Sequence, residues 1–182
     1  MSVLPIIALG CTVIVSGCAT RPVKHNAGKL HLVTAEDFAQ ILLAHCESGI
    51  QLGAGIESLD VSPELKRLAS RLRVDDENDR PTIVAWLAKQ SKHPSVVGKI
   101  HSDEIGSEHS ATVERLRRTS QPELNRYALR VMETHLREQL AFLRETPVED
   151  KELRRIADAI WRRISLQLKE LSLRPPAFGV AC

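Results

Sequence analysis

The chain has 182 residues, with 25 Lys and Arg against 23 Asp and Glu and a formal net charge of +2. This balance argues against a nucleic-acid partner, because nucleic-acid binding needs a clustered basic excess. Aromatic residues are only 3% of the chain, and apolar residues follow helical spacing rather than alternation, which disfavours a strand-rich sandwich.

The first 17 residues have the pattern of a bacterial lipoprotein signal peptide. An uncharged apolar run starts at Val3 and closes at Ser16-Gly17-Cys18, where the small residues suit signal-peptide cleavage and the Cys18 thiol can accept a diacylglyceryl group. The run is shorter than the ~20 residues of a membrane span. We therefore expect cleavage after Gly17 and lipidation of Cys18. Because residues 1–17 lack Lys and Arg, a plain cleaved signal and a short uncleaved anchor stay open as alternatives.

The residues after the cleavage site indicate where the processed chain goes. Ala19, rather than Asp, follows the cysteine and favours the outer membrane, with the domain facing the periplasm. Acyl chains such as palmitate on Cys18 would hold it at the bilayer. We expect residues 18–33 to be a tether, residues 34–173 a helical domain and residues 174–182 a tail.

Helical periodicity begins after the tether. Thr34 with Asp37 predicts a capping box, and Ser62-Pro63 predicts the start of a second helix. The acidic stretch 75–79 before Pro81 is expected to break or kink that helix. Between residues 38 and 87, the residues expected to face inward are Phe38, Ile41, Leu42, His45, Gly49, Leu52, Ile56, Leu65, Leu68, Ala69, Leu72, Ile83, Val84, Trp86 and Leu87.

The middle of the chain is expected to hold a connection over 91–103 and a short helix over 104–118. On that helix Ile105, His109, Val113 and Leu116 would face inward. Its C-terminal cluster of Arg115, Arg117 and Arg118 is expected to be exposed to solvent. There the positive charges interact favourably with the helix dipole. Contact of this cluster with anionic lipid is the alternative.

Two capping boxes predict the last two helices. They are Ser120-Gln121-Pro122-Glu123 and Thr146-Pro147-Val148-Glu149. The inward residues that follow them are Leu124, Ala128, Val131, Met132, Leu136, Leu140 and Leu143, and then Leu153, Ile156, Ala157, Ile160, Ile164, Leu168 and Leu171.

A weak internal repeat relates residues of about 37–87 to residues of about 124–171. Leu42-Leu43-Ala44-His45 aligns with Met132-Glu133-Thr134-His135, and Glu64–Ala69 aligns with Glu152–Ala157. Each half would be a helical hairpin. Two hairpins that bury their stripes against each other predict an all-α, ferritin-like up-down four-helix bundle, with the 104–118 segment as a short extra helix.

The repeat resembles the ferritin-like domain-of-unknown-function 305 family. That family's pattern is an aromatic residue, Met-Ile-x-His-His-x-x-Ala-Ile-x-Met, and later a Gln-x-x-Glu block that ends in Trp-Leu. The residues that fall on it are Phe38, Leu42, Leu43, His45, Gly49, Ile50, Leu52, Ala69, Leu72, Ile83, Trp86 and Leu87. The helical outer-membrane family numbered 4142 in the same scheme has a similar pattern. The resemblance implies the fold, and some members bind copper through paired His and Met residues.

The candidate metal ligands are His45, Cys46 and His135, which could hold Cu or Zn if the two halves meet across the core. In this chain, however, Cys46 replaces the family's second His and Leu52 replaces its Met. We prefer the interpretation that His45 and His135 are hydrogen-bonded core residues that hold no metal. Cys46 could pair with Cys182 in an oxidising envelope, although a buried Cys46 thiol is favoured.

Other chemical motifs are weaker. No His is preceded by Glu at the Glu-x-x-His spacing, which argues against a di-iron centre. His93, His101 and His109 are eight residues apart and would drift around a helix, so only a weak surface metal site could use them. We therefore predict no enzymatic activity and no cofactor. The predicted function is that of an envelope lipoprotein with a structural or protein-interaction domain that contacts an envelope protein or a second copy, with periplasmic copper or zinc binding as the alternative.

Overall fold

The computed structural model describes residues 33–90, 96–121 and 123–172, and these form five α-helices without a strand. The helices are α1 (Ala35–Glu57), α2 (Pro63–Gln90), α3 (Val96–Arg118), α4 (Glu123–Glu145) and α5 (Lys151–Ser172). All five belong to one compact unit, so the predicted all-α bundle is confirmed. The predicted signal peptide, Cys18, the tether up to residue 32 and the tail lie outside the described residues.

Helix α1 is the central helix of the bundle. It begins as predicted, with Thr34 Oγ1 accepting from the Asp37 N–H at 3.0 Å and Asp37 Oδ2 accepting from the Thr34 N–H at 3.1 Å. Fourteen of its 23 residues are buried, because α2, α3 and α4 all pack against it. At Gly53 a Cβ would lie 2.6 Å from the Ala69 carbonyl oxygen and 2.8 Å from Arg73 Cβ. The missing side chain at Gly53 thus lets α1 and α2 approach closely.

Helix α2 runs without a break through Pro81, so the predicted interruption at the acidic stretch is wrong. Pro81 lacks the N–H that would reach the Glu77 carbonyl, but both residues are at the surface, where water can satisfy that carbonyl. Val84, which was expected to be inward, is 42% exposed. The other predicted inward residues of α1 and α2 are buried or half-buried.

Two other predicted boundaries also differ from the structure. Helix α3 begins at Val96, not at residue 104, and its 23 residues make it a full-length member that packs along α1. Helix α5 is capped by Asp150, whose Oδ1 accepts from the Leu153 N–H at 2.8 Å, not by Thr146. The backbone before Asp150 is held instead by Arg154, whose guanidinium donates to the Val148 carbonyl at 2.7 and 2.9 Å.

The second hairpin follows the predicted periodicity. All of the predicted inward residues of α4 and α5 are buried or half-buried. Trp86 near the end of α2 connects the first hairpin to the turn of the second, since its Nε1 donates to Asp150 Oδ1 at 3.1 Å. The two hairpins span residues 35–90 and 123–172, with α3 between them.

Candidate functional site

A layer of polar side chains crosses the bundle about half-way along its helices. Asp76 of α2, His109 of α3, His135 of α4 and Arg163 of α5 form this polar layer, and Gly49 of α1 leaves room for it. Asp76 is fully buried, His135 is 1% exposed and His109 is 7% exposed. Every helix of the described structure therefore contributes to one buried polar arrangement.

Arg163 is the cation of this layer and faces three carboxylates of α2. Its Nη2 bonds Asp79 and lies 3.4 Å from Asp76 Oδ1, and its Nη1 lies 3.7 Å from Asp75 Oδ2. Gln167, one turn further along α5, donates to Asp75 Oδ2 at 2.6 Å. The acidic stretch expected to break α2 thus forms the contact between α2 and α5.

The second oxygen of Asp76 has no hydrogen-bond partner among the described residues. A Cβ at Gly49 would overlap Asp76 Oδ2 and lie 3.0 Å from His135 Nε2, an atom that is also buried and unpartnered. The two unpartnered atoms therefore lie close together beside α1. Burial raises the pKa of Asp76 to about 7, although the neighbouring Arg163 opposes this shift.

The two histidines of the layer connect α3 to α4. His109 Nδ1 lies 2.9 Å from the Ile105 carbonyl oxygen, and its Nε2 lies 3.0 Å from His135 Nδ1. The rings meet edge to face, with centroids 5.0 Å apart. Burial, and then the charge that His109 would carry, hold the pKa of His135 well below its usual value. At neutral pH His135 is therefore an uncharged imidazole.

The predicted ligands His45, Cys46 and His135 come near each other but do not converge. The His45 and His135 ring centroids are 6.2 Å apart, and Cys46 Sγ is 4.0 Å from Gln139 Nε2. Cys46 is a free, buried thiol, and burial raises its pKa, which disfavours the thiolate form that binds metals. Within the part of the chain that the structure describes, no three His, Cys, Asp or Glu side chains are grouped to hold a metal ion.

His45 lies on α1 one helical turn before Gly49, next to the polar layer. Its ring lies 5.5 Å from the Phe142 ring, and its Nδ1 is buried and unpartnered in the described structure. Burial is the main cause that lowers the pKa of His45 to about 4. The interpretation of His45 as an uncharged core histidine therefore fits its surroundings, although it lacks the expected hydrogen bond at Nδ1.

A surface groove between α3 and α4 leads down to the histidine pair. It consists of two adjoining cavities of about 200 and 190 Å³ that share Tyr127 and Arg130. The Arg115 guanidinium lies 5.1 Å above the Tyr127 ring. The residues that line the deeper cavity are Glu108, His109, Thr112, Tyr127, Arg130, Val131, Thr134, His135 and Glu138, and those of the outer cavity are Arg115, Thr119, Glu123, Arg126, Tyr127 and Arg130.

Sequence reasoning missed most of the polar layer, although one signal was present. The buried stripe of α2 passes through Asp76 in regular steps of three and four residues, so that position is inward whatever its residue type. His109 was placed on an inward stripe but not paired with His135. His101 and His93 have no described side chains, so the possible surface metal site that includes them is not assessed by the structure.

Comparison with known proteins gives no relative. No family model, no curated protein and no solved structure matches the chain. None of the helices α1 to α5 contains an apolar stretch of the length needed to cross a membrane.

Proposed function

We propose that the protein is a lipid-anchored envelope protein whose helical domain binds an acidic segment of a partner protein and catalyses no reaction. The observation that carries this proposal is the groove between α3 and α4, because it presents guanidinium groups and an aromatic ring in a concave surface. Arg and Tyr are the residue types that concentrate binding energy at protein interfaces.

The charge of the outer part of the groove favours carboxylates. Arg115 and Arg130 make no ion pair with a carboxylate in the described residues, whereas Arg126 bonds Glu123 at 2.6 Å. The neighbouring Arg117 and Arg118 are different, since both pair with Glu114. The outer cavity therefore has an excess of positive charge, with three arginines against Glu123 alone, and a partner carboxylate can bind these guanidinium groups in the bidentate geometry they prefer.

The deeper part of the groove favours a peptide over an anionic bilayer. Glu108 and Glu138 line it, and burial together with Glu108 raises the pKa of Glu138, which shows that the two carboxylates are close. A flat anionic membrane would be repelled by these carboxylates. A peptide can place its own acidic residues at the arginines and a neutral or basic residue at the glutamates.

The lipid anchor is supported by the Ser16-Gly17-Cys18 step of the sequence alone. Acylation of Cys18 would keep the groove within reach of other envelope proteins. Replacement Cys18→Ala should leave an unprocessed precursor without lipid, as measured by intact mass and by detergent partitioning. If the variant has unchanged mass and partitioning, the proposed lipid anchor is wrong. The proposed binding in the groove would not be affected by that result.

Peptide binding is tested with the chain from Ala19 and a fluorescent N-acetylated hexaglutamate probe. We expect saturable binding that weakens with salt and falls at least about tenfold when Arg115→Ala and Arg130→Ala are combined, because two charge-assisted contacts are lost. The matched control combines Arg155→Ala and Arg162→Ala on the exposed face of α5 and should bind as the wild type does.

Two results would contradict the proposed partner. An equal loss in both double variants would show only a general charge effect. Binding to vesicles of anionic phospholipid that depends on Arg115 and Arg130, without binding of the hexaglutamate probe, would assign the groove to the membrane.

A further inference from the structure

We propose that Asp76 Oδ2 and His135 Nε2 share one proton inside the bundle and form a pH-responsive element of the fold. This inference concerns the polar layer and does not depend on what binds in the groove. It rests on the direction of each hydrogen bond in the layer, on burial and on charge.

The positions of the protons on the two histidines follow from the Ile105 carbonyl. A carbonyl oxygen only accepts hydrogen bonds, so His109 Nδ1, 2.9 Å away, must carry a proton. In the neutral ring His109 Nε2 then has a lone pair and accepts from His135 Nδ1–H at 3.0 Å. With its proton on Nδ1, the uncharged His135 ring has a lone pair at Nε2.

Asp76 presents a second acceptor at the same place. Its Oδ1 faces the Arg163 guanidinium at 3.4 Å, whereas its Oδ2 is buried without a partner among the described residues. The site of the missing Cβ at Gly49 lies beside both Asp76 Oδ2 and His135 Nε2. Two buried acceptors that both lie next to Gly49 and have no donor would be costly, and a proton on Asp76 Oδ2 would supply the missing donor.

The charges around Asp76 favour that proton. The titratable and charged groups near Asp76 are Cys46 of α1, Asp75 and Asp79 of α2, His135 of α4 and Arg163 of α5, with His45 of α1 and His109 of α3 next to His135. If all were in their ordinary states, one guanidinium would face three carboxylates. The Asp76 side chain is fully buried, whereas those of Asp75 and Asp79 are 26% and 25% exposed. Asp76 is therefore the carboxylate that gains most from being neutral, in agreement with its raised pKa.

The competing explanation is a plain buried ion pair in which Asp76 stays ionised beside Arg163. The two explanations predict different pH dependences. A shared proton stays on folded Asp76 up to about pH 7, whereas the unfolded chain loses it near 3.8. The stabilising contribution of Asp76 is then present at low pH and is lost as pH rises through this window. An ion-paired Asp76 would contribute equally from about pH 5 to pH 8.

The test is Asp76→Asn, compared with wild type by urea unfolding of the full-length protein in a non-ionic detergent. The introduced amide donates permanently to His135 Nε2 and does not titrate. We expect the urea midpoint of the variant relative to wild type to rise by on the order of 1 M between about pH 5 and pH 7 and then to level off. The matched control Asp75→Asn removes a charge from the same guanidinium but keeps Asp76 and His135, so its midpoint relative to wild type should change much less between pH 5 and pH 7 than that of Asp76→Asn.

A pH-independent difference for Asp76→Asn would overturn the proposal. A second measurement keeps the proposal testable if that variant does not fold. In the wild-type protein, the carboxyl carbon resonance of Asp76 should titrate near neutrality, whereas titration of this resonance near pH 4 would show an ordinary ionised carboxylate and would equally contradict the shared proton.

Discussion

Helices α1 and α4 occupy the same position in the internal repeat but have different environments in the bundle. Fourteen of the 23 residues of α1 are buried, against six of the 23 of α4. Gly49, Gly53 and Gly55 occur in α1, whereas α4 has no glycine. A repeated hydrophobic stripe therefore does not by itself determine which helix lies at the centre of the bundle. Close packing of neighbouring helices on several sides also requires small residues.

The same difference separates the two hairpins by their packing. The first hairpin encloses the polar layer at Gly49 and supplies Asp76. The second hairpin exposes one side of α4, where α3 covers it only partly and leaves the groove. If the first hairpin is the tightly packed part of the molecule, changes to its buried residues should destabilise the protein more than changes in the second hairpin or in α3.

The largest expected difference is between the two tryptophans. Trp86 of the first hairpin is 2% exposed, and Trp161 of the second is 44% exposed. Trp86→Ala should lower the free energy of unfolding by ~3–5 kcal/mol, because it removes a large buried side chain. Trp161→Ala should cost less than about 1 kcal/mol. Denaturant unfolding measures both, and similar losses would contradict the contrast.

The next effect is a loss of stability in acid through His45. Its pKa is lowered to about 4 from 6.5, so the unfolded state takes up a proton before the folded state does. Stability that is present above pH 6.5 is therefore lost as pH falls towards 4, by up to about 3 kcal/mol. His45→Leu should remove this part of the pH dependence in unfolding measured across the window. Parallel curves for the variant and wild type would show that His45 is not held neutral by the fold.

A smaller loss is expected when a methyl group is added at the α1–α2 contact. Gly53→Ala would place its Cβ 2.6 Å from the Ala69 carbonyl oxygen, which is backbone and cannot move aside cheaply. The strain should exceed the helix propensity gained and destabilise the protein by ~1–3 kcal/mol. A stabilised variant in thermal unfolding would mean that α1 and α2 are further apart than the structure shows.

The smallest effect has the opposite sign and serves as the control for Gly53→Ala. At Gly106 of α3, a Cβ would meet nothing within 4 Å. Gly106→Ala should therefore stabilise the protein by ~0.5–1 kcal/mol through helix propensity alone. Thermal unfolding of both variants under one condition gives the comparison directly, and a loss at Gly106 would indicate an unseen contact of α3.

Much of the fold could be predicted because it depends on local signals. The capping box at Thr34, the start at Ser62-Pro63 and the apolar stripes are properties of short segments. The interruption at Pro81 was wrong because the effect of a proline depends on whether the freed carbonyl lies at the surface. The cap at Thr146 was wrong because Asp150 combines capping with the tertiary bond to Trp86.

The candidate site was harder to predict because it depends on contacts between distant helices. His45 and His135 were found from their inward positions, but Asp76 and Arg163 are charged residues that composition assigns to the surface. Their burial follows from their pairing across α2 and α5. The bond of His109 to His135 depends on how α3 lies on α4, which no periodicity within either helix specifies.

The central claim is that one polar layer joins the helices, with α3 tied to α4 by the histidine pair. Nitrogen-15 NMR of the imidazole rings near pH 7 tests it most directly, because it reports the protonated nitrogen of each ring and the hydrogen bond between them. The structure predicts that His109 and His135 both carry their proton on Nδ1, with coupling across the bond from His135 Nδ1 to His109 Nε2. Protonation of His135 at Nε2 alone, or an ordinary titration of His135 near pH 6.5, would contradict the account.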